Sequence, residues 1–154
     1  MMAKPVAQPF NISSFIPPAR SKQAEREVGR DSPLRRCRTC YGHLAGVDGV
    51  ALLDGMLELG WLELAADPDE LHPRFRPTEK GEEAFKRRGI NGEQTRRAGR
   101  KLAYGCTDWT ERRFHLGGAL GSAVTDALSG RGFVRRREGS RVVAVEQPVL
   151  DWLV

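Results

Sequence analysis

The sequence predicts an α+β fold, mainly α, built as two tandem winged-helix-like units that share a core. Three observations carry that expectation. HLAGVDGVALLDGMLELGWL, starting at His43, and HLGGALGSAVTDALSGRGFV, starting at His115, align without gaps and are identical at seven of 20 positions. Most other pairs are apolar or small in both copies, as with Met56 and Leu128 or Trp61 and Phe133. Each copy carries apolar residues at helical spacing and then meets a glycine. After that glycine come two short strand-like runs separated by a polar turn. A helix feeding a two-stranded hairpin is the second half of a winged helix-turn-helix unit. Neither hairpin is stable alone in water, so each needs its helices and its twin.

The elements follow in order. Residues 1–33 hold five of the nine prolines and read as a disordered or extended lead, with a short helix over Ser21–Val28. Residues 34–90 form repeat one, beginning with LRRCRTCYGHLAG. Val47, Val50, Leu53 and Leu57, with Leu52, Met56 and Leu59, predict a helix that Gly60 ends. WLEL and RFRP predict two strands around the turn AADPDELHP. Thr78 is placed to cap a helix EKGEEAFKRRG, acidic in its first turn and basic in its last, as the helix dipole favours. Residues 91–154 form repeat two. A polar connection and a helix around EQTRRAGRKLAYGCTDWTERRF precede a helix over Gly118–Leu128. Strand FVRRR, turn EGS and strand RVVAV come next. QPVLDWLV then predicts a last short helix with Pro148 near its first turn.

At 154 residues, 40% hydrophobic and 29% charged, the chain has the size of one domain or two very small ones on a common core. No apolar run approaches the roughly 20 residues that span a bilayer, and MMAKPVAQPFNISSFIPP has no signal-peptide pattern. Three cysteines, an odd number, fit a reducing compartment, so a cytoplasmic protein without membrane partners is expected. The net charge of +5 divides unevenly: +4 over residues 1–37, −3 over 38–90 and +4 over 91–154. Such asymmetry points to a polyanionic partner for the flanks and not for the middle.

RTCYGHLAG (Arg38–Gly46), FRPTEKGEEAF (Phe75–Phe85) and CTDWTERRFHLGGALG (Cys106–Gly121) resemble the C-terminal half of a group of bacterial ArsR-type winged-helix transcriptional regulators. The resemblance covers about residues 17–154, because PPARSKQAERE also resembles the connector that precedes RTCY in that group. It implies a sensing and pairing half, a homodimer and a small-molecule effector. The N-terminal winged-helix DNA-binding domain of the group has no counterpart here. PFNISS resembles the turn before its recognition helix, but FIPPARS follows where the helix would continue.

Double-stranded DNA is a second candidate partner. Repeat one carries Asp48, Asp54 and Glu58 on its helix and Asp67, Asp69 and Glu70 in its wing, which would repel phosphate. Repeat two places Arg135, Arg136, Arg137 and Arg141 on and beside a tight turn, with Arg112, Arg113 and Arg131 near its helix. A basic hairpin tip suits a phosphate-gripping wing, whereas a strand alternating inward Val with outward Arg leaves the arginines merely solvated. Both readings stay open, since GGALGSAVTDALSG offers only Ser122, Thr125 and Asp126 toward base edges.

Cys37-x-x-Cys40-x-x-His43 has spacing that a metal or thiol site can use, with Cys106 as a fourth partner and zinc as the suited ion. The alternative is that Cys40 and Cys106 are small buried apolar residues. Were Arg36–Leu44 helical, Cys37 and Cys40 would lie on adjacent turns, and Arg35, Arg36 and Arg38 would lower a thiol pKa. In the resembled group, cysteine is frequent at the positions of Cys40 and Cys106, and Cys37 is particular to this chain. His43 and His115 hold equivalent places in the repeats, which favours a shared structural task such as capping the following helix over ligation. Trp109, with Asp108, Glu111 and Arg112, either lines an effector cavity or joins the core. No nucleophile elbow, P-loop, HExxH or paired-carboxylate pattern is present, so no enzyme is expected. The function expected is that of a regulator-type winged-helix protein that senses a ligand or thiol state. The alternative is an interaction module that pairs with a full-length regulator without touching DNA.

Overall fold

Six α-helices and four two-stranded antiparallel hairpins form the computed structural model, which describes residues 19–65, 72–96 and 101–154. The class is therefore α+β. The expectations placed on PFNISS and on the acidic wing residues Asp67, Asp69 and Glu70 fall outside the described residues.

The first repeat begins with α1 (Lys22–Arg30), close to the short helix expected there, and α2 (Pro33–Arg36). Ser21 and Ser32 cap them by accepting from Ala24 N–H and Arg35 N–H, and Pro33 sits in the first turn of α2. Next come β1 (Arg38–Cys40), β2 (His43–Ala45) and α3 (Gly46–Glu58). The hairpin expected as wing one, β3 (Leu62–Leu64) and β4 (Phe75–Pro77), leads into α4 (Glu79–Arg87), which Thr78 caps through Gly81 N–H as expected. The second repeat runs α5 (Gly92–Arg96), β5 (Tyr104–Thr107), β6 (Phe114–Gly117), α6 (Gly118–Gly130), β7 (Val134–Arg136) and β8 (Val143–Val145). A 3-10 helix, Val149–Leu153, closes it.

Two expectations fail in the same way. The helix considered over Arg36–Leu44 is a hairpin, β1–β2, and, among the described residues, the stretch EQTRRAGRKLAYGCTDWTERRF is helical up to Arg96 and a hairpin from Tyr104. The cause in the first case is local. Tyr41 at φ 49° and Gly42 at φ 92° are both left-handed, which makes the two-residue turn that matches strand twist. In the second, Tyr104–Thr107 is laddered to Phe114–Gly117, and a loop of six residues, 108–113, joins them. Each repeat is thus hairpin, helix, hairpin.

The repeats are interleaved rather than stacked. α3 packs across β6, α6 packs across β2, and β2 meets β6. Gly49 lies where α3 folds back on its own strand: a Cβ there would lie 2.5 Å from Leu44 O, with His115 Cβ of the other repeat in ordinary contact at 3.5 Å. At Gly121 a Cβ would strike Leu116 O and lie 3.1 Å from His43 Cβ, the same environment with the copies exchanged. The wings cross as well. Phe75 N–H donates to Ala103 O (3.0 Å) and Gly105 N–H to Pro73 O (2.7 Å), so wing one extends β5. Thr39 N–H donates to Arg141 O (2.9 Å) and Val143 N–H to Cys37 O (3.1 Å), so wing two extends β1. Leu52, Leu53 and Met56 of one copy and Leu120, Val124 and Leu128 of the other belong to one buried cluster with Trp61, Phe85, Val134 and Trp152. α3 and α6 are apolar nearly all round because they are buried on several sides.

Candidate functional site

The hairpin registers bring together four side chains that lie far apart in sequence. Cys40 stands directly opposite His43 across the β1–β2 turn, and Cys106 directly opposite His115 across β5–β6. Opposed residues of an antiparallel pair project from the same face, so each hairpin presents one sulfur and one imidazole on one side. The crossing of β2 and β6 turns those sides toward each other. One ligand atom from each of Cys40, His43, Cys106 and His115 lies within 4.8 Å of all the others. The imidazoles are 2% and 1% exposed, the cysteines half-buried. The ring centroids are 5.1 Å apart. The buried Nε2 atoms of both histidines have no hydrogen-bond partner of ordinary geometry among the described residues.

Behind His115 stands a buried charge network. Its Nδ1 lies 2.8 Å from Asp108 Oδ2, which also accepts from Gly46 N–H at 2.7 Å. Asp108 Oδ1 accepts from Arg38 Nη2 (2.7 Å), Thr110 N–H, Thr110 Oγ1 and Glu111 N–H. Arg38 is fully buried, donates also to Leu34 O and Thr110 Oγ1, and lies 4.6 Å from the Trp109 ring centroid. Burial would raise the Asp108 carboxyl, but the His115 bond and the Arg38 charge hold it well below the usual carboxylate range. Burial disfavours charge on His115, yet Asp108 and Cys40 raise its pKa. Interaction with Cys106, then with His115 and His43, pulls the Cys40 thiol far below its ordinary value, and Cys106, as the other half of that pair, is pushed up.

Several sequence expectations change here. Cys37 does not join the cluster, because residues three apart in an extended chain face opposite sides. It is 1% exposed, and its thiol is pushed up to about 12 by burial, then by Asp48, where neighbouring arginines were expected to lower it. Neither histidine caps a helix: Ala45 and Gly117 occupy the N-cap positions of α3 and α6, with no side-chain cap bond. Trp109 is half-buried against Arg38. Of the wing arginines, Arg135 pairs with Glu146 (3.0 Å), Arg136 with Asp126 (2.6 Å), and Arg141 donates to Thr39 O. Arg137 is exposed at the tip. Arg113 pairs with Asp54, Arg131 donates to Arg87 O, and Arg112 occupies the 108–113 loop at φ 57°.

A cavity of about 520 Å³ opens beside the cluster, lined by Tyr41, His72, Lys101, Tyr104 and Ser122 together with His43 and Cys106. Arg38, expected only to lower a nearby thiol pKa, is the buried partner of Asp108, and the two tyrosines were assigned to no site. The available signal was a repeat alignment with a gap at the hairpin turns, which sets Cys40 against Cys106. Chemically, two sulfurs and two imidazoles converging from opposite hairpins can hold a thiophilic cation or act as a thiol pair.

In sequence the chain is similar to "Uncharacterized HTH-type transcriptional regulator YdfF" of Bacillus subtilis (strain 168), 33% identical over 132 residues. The match takes in 86% of this chain and 56% of the relative, so the chain spans about half the relative's length. No family model and no solved structure matches the chain. Among the described residues no helix is long and apolar enough to cross a membrane.

Proposed function

We propose that the chain acts as the sensing and pairing module of an HTH-type transcriptional regulator of the ArsR kind. The observation that carries this reading is the crossed use of the wings. Each repeat has a helix followed by an outer hairpin, as a winged helix does, but each outer hairpin is hydrogen-bonded along the first hairpin of the other repeat. A wing spent as an internal clamp has only its tip left for a duplex. On the strand that leads to it, Arg135 and Arg136 pair with Glu146 and Asp126, and Arg137 is exposed beside the turn. The seam that the clamps hold shut contains the Cys/His cluster and the cavity beside it, and this is where a signal enters. Similarity to a named HTH-type regulator supports the same direction. Pairing with a second copy, or with a full-length regulator, passes that signal to a DNA-binding domain.

The test is binding to a random-sequence duplex across a salt series, with mixed assembly of the tagged chain and a full-length HTH relative in parallel. The expected result is mixed dimers and no salt-dependent duplex binding by the chain alone. Salt-dependent binding that disappears in an Arg135→Glu, Arg137→Glu, Arg141→Glu variant would replace this reading with a phosphate-gripping second wing.

A further inference from the structure

We infer that Cys40, His43, Cys106 and His115 form a four-coordinate site for one zinc-class divalent ion, which pins the two hairpins together at the seam. The donor set is two thiolates and two imidazoles, the chemistry that zinc and cobalt favour over calcium or magnesium. The mutual approach within 4.8 Å fits a tetrahedron whose edges, at bond lengths of roughly 2.0–2.3 Å, run to about 3.5 Å, reached by a small inward shift. Both Nε2 atoms are buried and make no hydrogen bond of ordinary geometry among the described residues, a costly state that a cation relieves.

The surroundings of His115 are those of a metal ligand. A carboxylate on Nδ1 places the proton there and leaves Nε2 as the lone-pair donor. Asp108 is itself fixed by Arg38, Thr110 and the backbone of Gly46, so the ring is aimed by a network that spans both repeats. The cavity over His43 and Cys106 supplies an entry path for the ion. Because each repeat contributes one sulfur and one nitrogen, neither can form the site alone. Metal occupancy therefore adds a link across a seam that the two outer hairpins already clamp. That occupancy is the sensed signal rests on the sensor reading above; the site itself does not.

The measurement is zinc content of the full chain, purified under reductant, equilibrated with zinc sulfate and desalted. One equivalent per chain is expected, and removal by chelation lowers Tm by roughly 10 °C or more. Cys37→Ser keeps the full equivalent. Cys40→Ser and Cys106→Ser lose it, and Asp108→Asn weakens affinity by about 10–100-fold in chelator competition. Competition on the unaltered chain makes the result independent of whether a variant folds. No bound zinc in the folded wild-type chain, equal loss on Cys37→Ser, or a Cys40–Cys106 disulfide persisting under reductant would each overturn the site. Full zinc binding with no change in pairing or in a reporter would instead strike only the sensor reading.

Discussion

The two inner hairpins hold the same pair of side chains in the same register by different means. In β1–β2 the link between Cys40 and His43 is two left-handed residues, Tyr41 and Gly42, and Tyr41 is 96% exposed. In β5–β6 the link continues through a six-residue loop whose Asp108 is fully buried and bonded to both repeats. The first turn is set by backbone geometry. The second supplies a buried carboxylate, and Arg38 of β1 supplies the charge that pairs with it. A duplicated unit can therefore keep its site symmetric while drawing the acid of its buried ion pair from one copy and the base from the other.

The most damaging way to break that comparison is at Asp108. Asp108→Ala leaves Arg38 as an uncompensated buried charge, and about 3–5 kcal/mol of stability is expected to be lost in urea denaturation. A loss under ~1 kcal/mol would mean the network is solvated and the asymmetry superficial. The crossing glycines sharpen the symmetric side. Gly49→Ala and Gly121→Ala each push a methyl into a carbonyl of the neighbouring strand, so each should cost about 1–3 kcal/mol. Their costs should match, and a large inequality in the same titration would show that the two crossings are not equivalent. The smallest effect is expected at the turn. Tyr41→Asn replaces an exposed left-handed residue by one that tolerates the conformation, and should raise stability by about 0.5–1 kcal/mol. A destabilisation there would give Tyr41 a packing role that its exposure denies.

Much of the scaffold was legible in sequence and the site was not, for a physical reason. The helices of both repeats carry long apolar faces ended by Gly60 and Gly132, and the wings alternate, so periodicity finds them. The inner strands have only three or four residues each, too few for period two to be told from a short helical turn. Cys37-x-x-Cys40 offered a local motif, and it misled because Cys37 and Cys40 face opposite sides of an extended chain. The pairs that meet, Cys40 with His43 and Cys106 with His115, have unequal spacing because the two turns differ in length. Their convergence depends on the interleaving of α3 and α6, a long-range packing result that no local window contains.

The central claim is that both hairpins close on a single cation. Titration of cobalt(II) into the reduced, metal-free full chain tests it through the visible spectrum. The account expects intense ligand-field bands of tetrahedral cobalt with thiolate charge transfer, saturating at one equivalent and abolished by zinc. The weak bands of six-coordinate cobalt, with no charge transfer, would contradict it.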